Sequence, residues 1–175
     1  GGGEHPLNTL HNDDRKLVGR AVTCTYCPAR PDLHEVQFAR GAEDGLQGNY
    51  NQWVIDHLYE RDVVVCDMYD KIYKGTFLGG NLTTALHNRT KTGGAVIWGG
   101  IRDVEQMKKV PDVQVYYRGI DPTPIREFVM KDWNDITNFG GAVCLPGDIV
   151  FGAGGGVLFI PAHLVADVVE GAAKT

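Results

Sequence analysis

Gly79-Gly80-Asn81-Leu82-Thr83-Thr84-Ala85-Leu86, continuing to Gly93-Gly94-Ala95-Val96-Ile97-Trp98-Gly99-Gly100-Ile101-Arg102-Asp103, is the stretch whose reading decides the fold. Leu82, Ala85, Leu86 and Arg89 recur at helical spacing, and Asn81 is placed to cap the first turn. Gly93-Gly94 ends that helix. Ala95 to Trp98 is short and uniformly apolar, which predicts a strand buried on both faces. The stretch therefore reads as loop, helix and buried strand, with an Arg-Asp pair delivered at the strand's exit.

Working outward, Leu17 to Cys24 reads as a first strand, ended by Pro28, and Asp62-Val63-Val64-Val65-Cys66-Asp67 as a compact β-branched strand. Between them, residues 28–48 read as a turn-rich surface excursion. Trp53, Val54, Ile55 and Leu58 mark a short helix from Asn49 to about Glu60. Tyr69 to Phe77 reads as a connecting segment or another short strand. After the central stretch, Asp103 starts a brief helix stopped by Pro111, and Val113 to Tyr117 alternates like a strand. Residues 119–140 read as loop with one extended segment. Strands follow at 141–145, 149–151 and 157–160, and a last helix after Pro161 takes Leu164, Val165, Val168, Val169 and Ala172 as its apolar face. Residues 1–16 are polar and irregular. With no repeat and no linker, residues 1–175 read as one α/β domain with mixed sheets and peripheral helices.

Composition excludes several functions. A formal charge of −5 with no basic run argues against coating nucleic acid. No apolar run approaches the ~18 residues of a membrane span, and no leader pattern is visible. The 23 glycines, roughly double the usual ~7%, are dispersed between apolar runs, as tight turns require. Cys24-Thr25-Tyr26-Cys27 has redox or zinc spacing, but Cys66 and Cys144 stand alone and no second pair completes a zinc site. The cysteines read as structural, in a reducing, cytoplasmic setting.

Three features of the central stretch point to one chemistry. The helix N-terminus beside Gly79-Gly80 leaves backbone N–H groups unpaired, a seat for a carboxylate or phosphate. Arg102 offers a planar fork for a carboxylate or an enolate oxygen. Asp103 is a hard oxygen ligand suited to Mg²⁺ or Mn²⁺. Together they describe a site for a small 2-oxo acid. The competing structural reading makes Asp103 and Gln106 a capping box.

Gly80-Asn81-Leu82 followed by Arg102-Asp103 resembles the signature of the RraA-like family. Val18 to Thr23, Asp62 to Val65, Pro146 to Val150 and Gly156 to Pro161 extend the resemblance from about residue 17 to the C-terminus. The family includes class II 4-hydroxy-4-methyl-2-oxoglutarate/4-carboxy-4-hydroxy-2-oxoadipate aldolases, oxaloacetate decarboxylases and regulators of RNase E. The resemblance implies a swivelling β/β/α domain and homotrimers or hexamers with sites between subunits. It also implies a metal-dependent lyase cleaving a C–C bond of a 2-oxo acid through a pyruvate enolate, by retro-aldol reaction or decarboxylation. Arg102 would contact the pyruvyl group, Asp103 would bind the metal, Asn81 would assist catalysis, and Gly80, Leu82 and Thr83 would hold substrate, the last two through backbone amides. Asn81 stands where the aldolases carry an acid, Gln106 where a carboxylate is usual and Trp98 where an Asp is common. Ala153-Gly154-Gly155 is uncharged where many relatives are acidic. Two alternatives follow from these departures: a non-catalytic regulator binding RNase E, and an eliminase or dehydratase acting on a keto-sugar compound.

Overall fold

The computed structural model describes residues 7–174. Part of the N-terminal segment, residues 1–6, lies outside the described residues. A mixed sheet dominates. Its centre is four parallel strands: β2 (Leu17–Pro28), β3 (Asp62–Leu78), β4 (Gly94–Ile101) and β5 (Gln114–Tyr117), with β1 (Asn8–Thr9) antiparallel on β5. On the other side, β10 (Ile149–Ala153) pairs antiparallel with β2 and then with β11 (Gly156–Ile160). β6 (Gly119–Ile120) extends along β4, β7 (Phe128–Trp133) pairs with β2, and β8 (Thr137–Phe139) and β9 (Ala142–Cys144) form a separate hairpin.

The parallel centre follows from the apolar runs. Val63, Val64, Val65 and Cys66 are all fully buried, as are Ala95, Val96 and Ile97. A strand alternates its side chains, so continuous burial requires cover on both faces. Val64, Cys66, Ala95 and Ile97 join one core with Trp53, Val54 and Ile55 of α2 (Tyr50–Asp56) and Leu86 of α3 (Gly80–Thr90). Val63, Val65 and Val96 join a second core with Phe139, Cys144 and Val150. Helices thus cover one face and strands the other, the expected α/β layering.

Several local expectations are corrected. Residues 28–48 are not merely an excursion: α1 (Pro31–Glu43) occupies most of them, with Pro31 at its start and Gly41 pressed on the Trp53 indole, where a Cβ would come within 2.4 Å of the ring. The segment 69–77 belongs to β3, which bulges between Asp67 and Leu78 and places Tyr69, Asp70 and Lys74 at positive φ. Residues 119–140 contain β6, β7 and β8. α3 stops at Thr90, with Lys91 rather than a glycine in the left-handed position that follows (φ 68°). The last helix begins after a 3₁₀ turn, at Val165 (α5, Val165–Ala173), and none of its residues is buried. Its apolar face therefore does not pack on the chain's own core.

Candidate active site

β3 and β4 run parallel, and their register pairs Leu78 with Ile101 at the two C-terminal ends. Whatever follows each strand must then lie side by side. Gly79-Gly80 follow β3 and start α3; Arg102-Asp103 follow β4 and start the one-turn helix α4 (Val104–Met107). The backbone N–H of Arg102 donates to the Leu78 carbonyl at 2.9 Å, closing the junction. The carboxyl edge of a parallel sheet is where open α/β folds place ligands.

Arg102 is held from below. Its Nη1 donates to the Thr76 carbonyl at 2.9 Å and to Thr76 Oγ1 at 3.1 Å. The guanidinium is largely buried, and desolvation lowers its pKa against a smaller opposing effect of Asp103. It stays charged at any physiological pH. Nε lies 4.0 Å from Asp103 Oδ2.

Asp103 takes an unexpected conformation. Its φ of 56° and ψ of 41° are left-handed, and its side chain makes no capping bond to α4. Instead Oδ2 accepts from the Gly80 N–H across the junction, at a long 3.4 Å. The capping-box reading of Asp103 and Gln106 is thus corrected: the backbone of Asp103 is turned to aim its carboxylate at α3. The N-cap reading of Asn81 is corrected too, since Gly79 occupies that position. Asn81 Oδ1 accepts from Gln106 Nε2 at 3.3 Å. A Cβ on Gly80 would lie 2.1 Å from Gln106 Cδ, so a side chain there would displace the exposed Gln106 amide from Asn81.

In the first turn of α3, Thr83 is buried, and both its N–H and its hydroxyl donate to the Gly79 carbonyl at 3.1 and 2.8 Å. The spare donors of that turn are then the N–H groups of Asn81 and Leu82, which have no intrahelical acceptor by position. They carry the positive end of the helix dipole.

Arg102, Asn81 and Leu82 form part of the wall of a cleft of about 990 Å³. Arg30, His34 and Phe38 come to it from the start and first turns of α1, Tyr50 from α2, and Arg126 from the loop before β7. No Asp or Glu is among its described lining residues. The cleft is cationic, amide-rich and partly aromatic, which suits an organic anion. Sequence reasoning missed His34, Tyr50 and Arg126, and only the missed helix α1 would have brought the first to notice.

Asp103 itself does not line the cleft, but its Oδ2 lies 4.0 Å from Nε of Arg102, which does. Among the described residues no group of three His, Cys, Asp or Glu side chains converges on one point. The Asp103 carboxylate accepts from the Gly80 N–H, however, and the Gln106 amide lies beside Gly80 and donates to the Asn81 oxygen. One half-exposed carboxylate with two amide oxygens is a hard-donor set of the kind Mg²⁺ accepts while retaining several waters. Trp98 lies elsewhere. It packs edge-on against Phe139 at 5.4 Å and under the Arg118 guanidinium at 4.3 Å, in the second core.

Comparison with known proteins agrees with this architecture. The RraA-like family model, described as Aldolase/RraA, matches residues 2–159. A candidate 4-hydroxy-4-methyl-2-oxoglutarate aldolase of Pseudomonas entomophila is 31% identical over 159 residues, covering 82% of this chain and 95% of that protein. Protein DlpA of Legionella pneumophila is 31% identical over 157 residues; the match covers 89% of this chain but only 23% of that much longer relative. Among solved structures, Streptomyces coelicolor RraAS2, described as an unusual member of the RNase ES inhibitor RraA family, superposes with a TM-score of 0.78 at 22% identity, over 97% of this chain and 76% of that one.

Proposed function

Because the chain belongs to the RraA-like family, we propose that it is a divalent-metal-dependent lyase that breaks a C–C bond of a 2-oxo acid and releases pyruvate. The observation that carries this is the Arg102 guanidinium, clamped by Thr76 at the wall of an acid-free cleft beside the spare amides of Asn81 and Leu82. Arg102 and those amides bind the carboxylate of the pyruvyl group. As the bond breaks, negative charge moves onto the 2-oxo oxygen, and donors already in place stabilise it without reorganising. Asp103 would hold Mg²⁺ or Mn²⁺, beside the amides of Asn81 and Gln106, and the ion would supply Lewis-acid polarisation of the substrate carbonyl. Gly80 keeps the junction tight enough for both halves to act on one small molecule. Retro-aldol cleavage is the reading that the named aldolase relatives support; decarboxylation uses the same enolate.

The assembly we propose is a homotrimer or its doubled form. Its support is the unburied α5 together with the outward Leu158 and Val169, 62% and 61% exposed. A molar mass in solution equal to one chain would contradict it. A cytoplasmic setting is in keeping with four free cysteines, and no helix among the described residues is long and apolar enough to cross a membrane.

The reaction is tested by following pyruvate release from 4-hydroxy-4-methyl-2-oxoglutarate and from oxaloacetate. Arg102→Ala removes the principal donor and is expected to lower turnover by roughly 10²–10³-fold. Chelation should abolish the activity reversibly. Full activity in Arg102→Ala, or in the presence of chelator, would sink the mechanism.

A further inference from the structure

The cleft that presents Arg102 also presents a histidine that the chemistry above leaves idle. His34 stands exposed on α1, with Nδ1 3.1 Å from the Tyr50 hydroxyl. The Tyr50 ring is 5% exposed and fixed by three other rings, with centroid distances of 4.9 Å to Phe38, 5.0 Å to Trp53 and 6.4 Å to Tyr26. The imidazole itself packs 4.5 Å from Phe38. His34 is therefore a positioned side chain on a rigid aromatic base, not a loose surface residue.

Retro-aldol cleavage needs a group that removes a hydroxyl proton and later supplies one to carbon. The Asn81 amide can do neither. Among the described lining residues, Arg30, Arg102 and Arg126 remain protonated at working pH, and burial pushes the Tyr50 phenol up to about 12. Imidazole is the side chain that exchanges a proton between about pH 5 and 8. The charged groups around it are the Arg102 and Arg126 guanidinia on other walls of the cleft, Arg30 ahead of α1, and Asp32 and Glu35 on its own helix. Asp32 is already engaged by Arg30.

We propose that His34, oriented by Tyr50, is the proton-transfer residue of this site, an inference that rests on the lyase reading above. With Nδ1–H donating to the Tyr50 oxygen, Nε2 accepts the substrate's hydroxyl proton as the C–C bond breaks. That bond's electron pair becomes the pyruvate enolate, and the hydroxyl oxygen becomes the carbonyl of the second product. The imidazolium then returns the same proton to the enolate carbon. Pyruvate forms, His34 is neutral again, and no other reactant is consumed. Tyr50 is a positioning residue, since its hydroxyl holds the imidazole by Nδ1.

The test is the pH profile of kcat/KM for pyruvate release, measured beside the affinity for oxalate, a planar analogue of the enolate. Wild type should lose activity on an acid limb, as the base becomes protonated. His34→Gln should lose roughly 10²–10⁴-fold in kcat at pH 7.5, flatten that limb and bind oxalate within threefold of wild type. Tyr50→Phe should shift the limb and lower kcat with little change in KM. Arg102→Ala should lose oxalate binding itself. His34→Gln with the wild-type rate and limb overturns the role of His34 and leaves the lyase intact. So does a His34→Gln protein that loses oxalate binding as fully as Arg102→Ala, which would make His34 a binding group. A wild-type protein that releases no pyruvate overturns both readings together.

Discussion

Asp103 carries the conformational cost of the site. A non-glycine residue in the left-handed region costs of order 1–3 kcal/mol, least for Asp and Asn. Here that backbone turns the carboxylate away from capping α4 and toward the Gly80 amide. The surroundings hold it there: the Arg102 N–H donates to the Leu78 carbonyl, and the Met107 N–H donates to the Asp103 carbonyl at 2.9 Å. Asp103→Gly should therefore keep its melting temperature, or gain up to about 1 kcal/mol, while losing metal-dependent turnover. A variant that loses stability instead would show that the carboxylate serves the fold. The juxtaposition of the Gly80–Leu82 helix start with Arg102-Asp103 was legible in the sequence, because glycines before a helix and charges after a strand are local patterns. His34 was not legible. Its place on the cleft that Arg102 also lines depends on how α1 packs, and an isolated histidine carries no such information.

At the scale of elements, the β3–β4 pair does the positioning. Two parallel strands that end in register deliver their following residues to one place, so a helix start and an Arg-Asp pair meet although separated in the chain. Glycine makes the pairing possible at its other end. A Cβ on Gly94 would sit 2.0 Å from the Gln114 carbonyl of β5 and 2.9 Å from a Leu17 methyl. Neither backbone nor buried core can give way cheaply, so Gly94→Ala should cost about 1–3 kcal/mol in urea denaturation; an unchanged midpoint would show that β4 and β5 are looser than described. The buried strands could be read from sequence because their apolar runs admit no other use. α1 could not, because its one buried residue is Gly41 and its contacts are made by a partial stripe of Leu33 and Phe38. β7 escaped for a different reason: its mixed polarity becomes strand only by pairing with β2, about a hundred residues away in the chain.

Across the whole molecule, the two cores divide the labour. The helix-covered face leads to Arg102, the α3 amides and the cleft; the strand-covered face carries Trp98, Phe139 and Arg118 as packing. Trp98 read in sequence as a departure from an acidic position. In the structure it lies in the second core, so the charge it lacks is not charge lost from the cleft walls. For the proposed metal site the positions that count are Asn81 and Gln106, whose amides leave Asp103 as the single carboxylate beside Gly80. A single-carboxylate site predicts weak metal binding that strengthens when the substrate supplies further oxygens. The direct measurement is a crystal structure grown with Mn²⁺ and oxalate. The account predicts an anomalous peak bonded to the Asp103 carboxylate, with oxalate hydrogen-bonded to Arg102 and to the amides of Asn81 and Leu82. Oxalate bound away from Arg102, or manganese on other residues with Asp103 still turned to Gly80, would contradict it.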